Sequence, residues 1–182
     1  RRALGEPSKT GWVYILDRET GAPLIGIEER PVMQEPRQAT AATQPYPVGD
    51  AFVPQHVDIG PEGFPPLVNQ GRIFTPFWTD GVVVKPSHNG GANWPGSSYD
   101  PTTGHMYICA SDRMSFFKGG DEDEQLPPQE GERFLGGEFG VVPFHISGIL
   151  VAMDMHTNKI VWQQRLSDRC YSGSLATAGG LI

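Results

Sequence analysis

GILVAMDMHTNKIVW, residues 148–162, is the stretch whose reading decides the fold. The run Ile149, Leu150, Val151 is apolar throughout and does not alternate, which suits a strand covered on both faces. Asp154 to Asn158 supplies a turn, with an Asx-type acceptor first and a residue tolerant of left-handed backbone last. Lys159 to Leu166 reads as the returning strand. It carries Trp162, a flat ring able to dock between neighbouring sheets.

The pattern has two echoes. GWVYILDRETGAPL at 11–24 sets Asp17, Thr20 and Gly21 in the same phase, and GSSYDPTTGHMYICAS at 96–111 repeats it with Asp100, Thr103 and Gly104. The spacing between successive copies is unequal. One hairpin type therefore recurs, with insertions of different length rather than a fixed period.

Between these hairpins the chain is rich in turn residues, with 23 Gly and 17 Pro in 182 residues. Prolines interrupt nearly every helical window from Ile27 to Pro66, so that stretch reads as a long irregular loop in which His56 and Asp58 are ordinary polar residues. RIFTPFWTDGVVVK at 72–85 reads as a hairpin turned at Asp80-Gly81. Gly90, Gly91 and Gly96 permit close backbone approach or positive φ around Asn93 and Trp94. Lys118 to Gly137 reads as a solvated loop. Its run Asp121-Glu122-Asp123-Glu124 lacks the alternating ligands and turn glycine of a calcium-binding hand.

Several function classes are excluded. With 14 Lys plus Arg against 21 Asp plus Glu the net charge is −7, which disfavours nucleic acid or an anionic membrane as partner. No apolar run approaches the roughly 20 residues of a membrane span. No Gly-x-Gly-x-x-Gly follows a strand, which argues against a nicotinamide cofactor. Cys109 and Cys170 do not have metal-ligand spacing. Cys109, within the apolar MYICA, reads first as a small buried hydrophobe, with a disulfide to Cys170 in an oxidising compartment as the lesser alternative.

Four strings, in chain order, resemble the PQQ-dependent quinoprotein dehydrogenase family: SKTGWVYILDRETG at 8–21, GGANWPGSSYDPTTGHMYI at 90–108, the Ala152-x-Asp154-x-x-Thr157-Asn158-Lys159-x-x-Trp162 motif, and SGSLATAGGLI at 172–182. The resemblance implies an all-β fold, a fragment of an eight-bladed β-propeller with tryptophan-docking motifs. Residues 1–182 would then form one partial propeller domain of roughly three to four blades at about 40–50 residues each. Both ends would fall inside the full fold.

Three residues take cofactor roles from the resemblance. Lys9 would contact the quinone oxygens of pyrroloquinoline quinone (PQQ), where a fixed cation stabilises negative charge. Asn93 would be an amide partner that both donates and accepts. Trp94 would line the pocket. Many family members carry Trp-Gly-Gly where Cys170-Tyr171-Ser172-Gly173 stands here, so Tyr171 offers a different ring at that place.

The implied reaction is oxidation of an alcohol or aldose by hydride transfer to PQQ, with an Asp as base and calcium as Lewis acid. In the family's order that Asp and the calcium ligands precede Arg1. No catalytic residue and no metal ligand is therefore assigned within these residues, and the segment alone is expected to be inactive. EERPV followed by TQPYP is similar to membrane-type glucose dehydrogenases, whereas GGANWPGSSYDPTTG leans toward alcohol dehydrogenases. The implied partners are a small alcohol or sugar and a cytochrome or quinone electron acceptor, in the periplasm. Membrane attachment would come only through regions not present here. The alternative is a non-catalytic β-propeller scaffold or binding module, which has no reason to carry both Lys9 and Asn93.

Overall fold

A computed structural model describes residues 2–121 and 128–182, so Glu122 to Glu124 of the acidic run lie outside the described residues. The strands are β1 (Ala3–Pro7), β2 (Val13–Asp17), β3 (Ile27–Pro31), β4 (Thr43–Pro47), β5 (Val82–Val84), β6 (Ser98–Asp100), β7 (His105–Asp112), β8 (Ser115–Gly119), β9 (Gly137–Val141), β10 (Ser147–Asp154) and β11 (Lys159–Leu166). Among the described residues the only helical element is a single 3-10 turn, Asn69–Gly71. The chain is all-β. Its sheets are β1-β2, β3-β4, β5-β8-β9 and a four-stranded antiparallel sheet in the order β6-β7-β10-β11.

The repeated turn explains why these strands return where they do. At Asp17 the carboxylate accepts from the Glu19 and Thr20 amides at 2.9 and 3.0 Å, and Gly21 closes the turn at φ +73°. At Asp100 it accepts from the Thr102 amide at 2.8 Å and the Thr103 hydroxyl at 2.9 Å, and Gly104 closes at φ +73°. At Asp154 it accepts from the His156 amide at 2.7 Å, and Asn158 closes at φ +55°. A carboxylate that accepts backbone N–H bonds is easier to ionise. The amides of Thr102 and His156 accordingly hold Asp100 and Asp154 below the ordinary carboxylate value.

Strand β10 is covered on both faces, as its unbroken apolar run predicts. Directly paired residues of antiparallel strands share a face. Ile149, Val151 and Met153 pair with Ala110, Ile108 and Met106. That face joins Val13 and Ile15 of β2 and Phe52 in the main core. On the other face Gly148, Leu150 and Ala152 pair with Ser111, Cys109 and Tyr107. A segment at 168–174 crosses this second face so closely that a Cβ on Gly148 would lie 2.5 Å from the Asp168 carbonyl oxygen. A smaller core gathers Val57, Val83, Met114 and Val142 beneath the β5-β8-β9 sheet. Trp162, 39% exposed, lies against Tyr107 of its own sheet with ring centroids 6.0 Å apart.

Three sequence readings are corrected. The stretch 27–66 is not loop throughout, because β3 and β4 form an antiparallel ribbon. Pro31, Pro45 and Pro47 are tolerated there because a two-stranded ribbon has two outer edges that need no donor. Residues 72–85 do not form a hairpin. Phe74 takes φ +62°, the Thr75 amide turns back to the Arg72 carbonyl, and Val82–Val84 pairs instead with β8. Cys109 and Cys170 are bonded as a disulfide, with Cα atoms 5.2 Å apart.

Asn158 does more than close a turn. Its side chain is fully buried and donates to the carbonyls of Val13 and Val48, both at 3.0 Å. Asn158→Ala strands both acceptors and places a Cβ-bearing residue without local compensation at positive φ, so it should cost about 2–4 kcal/mol. Asn158→Gly loses the same bonds without the backbone penalty and should cost roughly 1 kcal/mol less. Denaturant unfolding of both variants measures this, and two wild-type midpoints would show that the carboxamide holds nothing.

Candidate cofactor-binding site

The turn Ser87–Gly91 is the hub of the candidate site. Gly90 sits at φ +84°, and a Cβ there would lie 2.5 Å from the Cα of Lys9. The Gly91 amide donates to the Lys9 carbonyl at 3.0 Å, and the Gly91 carbonyl accepts from Ser111 of β7 at 2.8 Å. Glycine is required because two backbones and β7 meet in space that a side chain would fill. Gly96 has neither constraint, with open space where its Cβ would be.

Each predicted cofactor residue can be placed on this hub. Lys9 is exposed, and its ammonium makes one long hydrogen bond, 3.4 Å, to the His88 carbonyl. Asn93 is half-buried. Its amide nitrogen donates to the Asn89 carbonyl at 3.0 Å and to the Tyr171 hydroxyl at 3.4 Å, while its oxygen accepts from the Trp94 amide at 2.9 Å. Trp94 is 78% exposed and meets Tyr171 edge-on at 6.1 Å. Lys9 and Asn93 thus hang on one turn but border different hollows. Lys9 edges one of about 230 Å³ with Phe74, Phe77 and Phe117. Asn93 and Trp94 edge another of about 320 Å³ with Gly5, Pro7 and Met106.

A larger cavity, about 370 Å³, lies around Asp112 and includes none of these three residues. The Asp112 carboxylate is buried between Lys85 at 2.7 Å and Arg165 at 2.8 Å. The Lys85 contact is an ion pair that lacks hydrogen-bond angles. This cluster is already charge-paired, which fits a structural role.

Two further residues belong to the hub that sequence reasoning did not assign. The His88 ring contacts the Ser115 hydroxyl at 2.7 Å and Phe139 edge-on at 5.0 Å. Burial, then the charges of Arg113 and Lys9, lower its pKa. Arg113 is only 7% exposed, and its Nε is buried with no hydrogen-bond partner. Burial, then Arg169, lowers its pKa, with Asp168 and Tyr171 acting in the opposite sense. A guanidinium stays protonated under such a shift. Arg113 and Lys9 thus both act on His88, and Arg169 and Asp168 on Arg113, a surplus of positive charge around the hub that suits an anion. No sequence signal marks Arg113, since a lone Arg at a strand end has no spacing to read.

The His88 shift has a measurable sign. Its folded pKa lies below the ordinary 6.5, so the unfolded chain takes up a proton that folded His88 resists. This contribution to stability is complete above about pH 6.5 and is lost as the pH falls below it. Thermal midpoints between about pH 5 and 7.5 should fall less steeply in His88→Asn than in the wild type. Equal slopes would remove His88 as the cause.

Comparison with known proteins bears on this geometry. The model for "PQQ: Glucose/ethanol/alcohol dehydrogenase, beta-propeller domain" matches residues 1–143. The glycerol dehydrogenase large subunit of Gluconobacter thailandicus is 28% identical over an alignment covering 98% of this chain and 31% of that protein. A quinoprotein ethanol dehydrogenase of Pseudomonas aeruginosa is 32% identical over 56% of this chain and 16% of its own length. Among solved structures, a quinohemoprotein alcohol dehydrogenase from Pseudomonas putida HK5 superposes with TM-score 0.63 at 23% identity, covering 98% of this chain and 25% of its own, a likeness of fold. The chain spans about a third or less of these relatives. With most of its length matched by the family model, it belongs to the β-propeller domain family of PQQ-dependent glucose, ethanol and alcohol dehydrogenases.

Proposed function

We propose that the chain is part of a longer PQQ- and calcium-dependent dehydrogenase acting on an alcohol or aldose, and that its hub supplies part of the cofactor pocket. One observation carries the reading furthest: a buried Arg113, whose Nε has no hydrogen-bond partner, acts with Lys9 as a second positive charge on His88 of the hub. Among the described residues no carboxylate lies within ion-pair distance of that guanidinium, with Asp168 acting on it only from farther away, and a buried cation is costly until a counter-ion completes it. PQQ is an anionic tricarboxylate with quinone oxygens, so its chemistry matches that need. When bound, it supplies the acceptor for hydride transfer from the substrate, with calcium as Lewis acid.

The chain's own residues bind and orient. Among the described residues the Lys9 ammonium has one long bond to give up, so it can turn toward a quinone oxygen. Asn93 is held from both ends of its amide, which fixes the orientation it presents. Trp94 and Tyr171 offer two rings at right angles as an apolar wall. Among the described residues no group of three or more His, Cys, Asp or Glu side chains is placed to hold a metal ion. The reading assigns the calcium ligands and the catalytic Asp to polypeptide outside this chain. The Cys109–Cys170 disulfide favours an oxidising compartment, which supports a periplasmic protein delivering electrons to a cytochrome or quinone.

The full-length polypeptide supplied with PQQ and calcium should turn over primary alcohols or aldoses in a dye-linked assay, and residues 1–182 alone should not. Lys9→Ala should weaken PQQ binding about tenfold or more, the worth of a charged hydrogen bond. Turnover of no alcohol or aldose, with no PQQ bound, would leave a non-catalytic propeller. Arg113→Met keeps the bulk and removes the buried charge. It should raise the thermal midpoint of the cofactor-free protein while weakening PQQ binding. A lowered midpoint with unchanged PQQ affinity would show that Arg113 is a structural group.

A further inference from the structure

The segment 168–174 lies on the second face of the four-stranded sheet and is fastened at both ends. At one end Cys170 is bonded to Cys109 of β7, and its carbonyl accepts from the Ser111 hydroxyl at 3.1 Å. At the other, the Ser174 hydroxyl donates to the Tyr107 carbonyl at 2.7 Å and accepts from the Ser98 amide at 2.9 Å. Gly173 is drawn in close, since a Cβ there would lie 3.1 Å from the Gly96 carbonyl oxygen. Tyr171 is the first of the three residues between these fastenings. It does not turn into the sheet. Its hydroxyl meets Asn93, its ring meets Trp94, and the Arg169 guanidinium lies 5.7 Å from its centroid.

We propose that the Cys109–Cys170 disulfide is a positioning device for the cofactor face: it pins this strap to β7 so that Tyr171 orients Asn93 and becomes a further residue in contact with the cofactor. The proposal rests on the PQQ reading above. Three residues separate Cys170 from Ser174, and without the covalent bond the Ser111–Cys170 hydrogen bond would hold that end more loosely, so the Tyr171 ring could swing away from Trp94. The covalent bond one residue before Tyr171 removes that freedom. The Tyr171 hydroxyl accepts from Asn93, which leaves its own proton free to donate. A quinone or carboxylate oxygen of the ligand is the acceptor that chemistry calls for.

The test uses the full-length protein. Equilibrium dialysis with PQQ compares the wild type, Tyr171→Phe, the paired Cys109→Ser/Cys170→Ser variant and the triple variant. Tyr171→Phe keeps the ring and loses the hydroxyl, so Kd should rise about fivefold to tenfold. The paired serine variant should lose at least as much, and the triple variant no more than the paired one, because the disulfide acts through Tyr171. A wild-type Kd in the paired variant, with only a lower melting temperature, would overturn the proposal, as would additive losses in the triple variant. Hydrogen exchange at the Trp94 amide, followed without cofactor, should speed up in Tyr171→Phe and in the paired variant, because that amide is bonded to Asn93. Unchanged exchange would also overturn it. If the wild type binds no PQQ but the exchange responds as expected, the quinone reading fails while the orientation of Asn93 by the strap stands.

Discussion

A strand with apolar side chains on both faces has to be covered twice, and β10 meets that demand in two different ways. Ile149, Val151 and Met153 are almost wholly removed from water against β2 and Phe52. Burying side chains of that size contributes about 1.5–3 kcal/mol each, an upper estimate for a chain already partly collapsed when unfolded. The opposite face, of Gly148, Leu150 and Ala152, is crossed by the strap that carries Tyr171. Lys9 stands at the turn between β1 and β2, and so belongs to the first cover. Tyr171 belongs to the second. The two covers of one strand thus bring the two sides of the candidate site to the same end of the sheet.

Charge is arranged with the same economy. The acidic turns at Asp100 and Asp154 are satisfied locally by backbone amides and hydroxyls. The Asp112 cluster satisfies its own buried carboxylate with Lys85 and Arg165. Arg113, the next residue along, has no carboxylate at ion-pair distance among the described residues, and its Nε is buried without a hydrogen bond. Adjacent residues at one end of a strand can face different surroundings, because side chains alternate along a strand. One of them closes a structural network, and the other joins the Lys9–His88 hub.

What could be read from the sequence was what is local. The three Asx turns were legible because Asp17, Asp100 and Asp154 bond within three residues of themselves, and the closing residue must tolerate positive φ. The two-sided burial of β10 was legible from its apolar run. The role of Gly90 was legible as close approach, though not that Lys9 is what approaches. Pairings between distant segments were not legible. Val82–Val84 looked like half of a hairpin because Asp80-Gly81 is a good turn, yet its partner lies at Ser115–Phe117. The β3-β4 ribbon was hidden by prolines that only an edge can accept. The disulfide joins residues 61 apart, and neither cysteine's neighbours name the other. Tyr171 drew notice only as a departure from a pattern, and its contact with Asn93 spans 78 residues.

Strands β7 and β10 are partners along their whole length, yet β8 and β9 are threaded between them and belong to a different sheet. The central pairing of the larger sheet therefore closes a long stretch of chain before it gains anything. Asn158 extends this to the first hairpin, reaching across 145 residues to Val13. High contact order of this kind slows folding, because chain entropy is lost before non-local contacts repay it. The newly made polypeptide would have its early hairpins waiting, edges bare, until residues near 150 emerge to complete them.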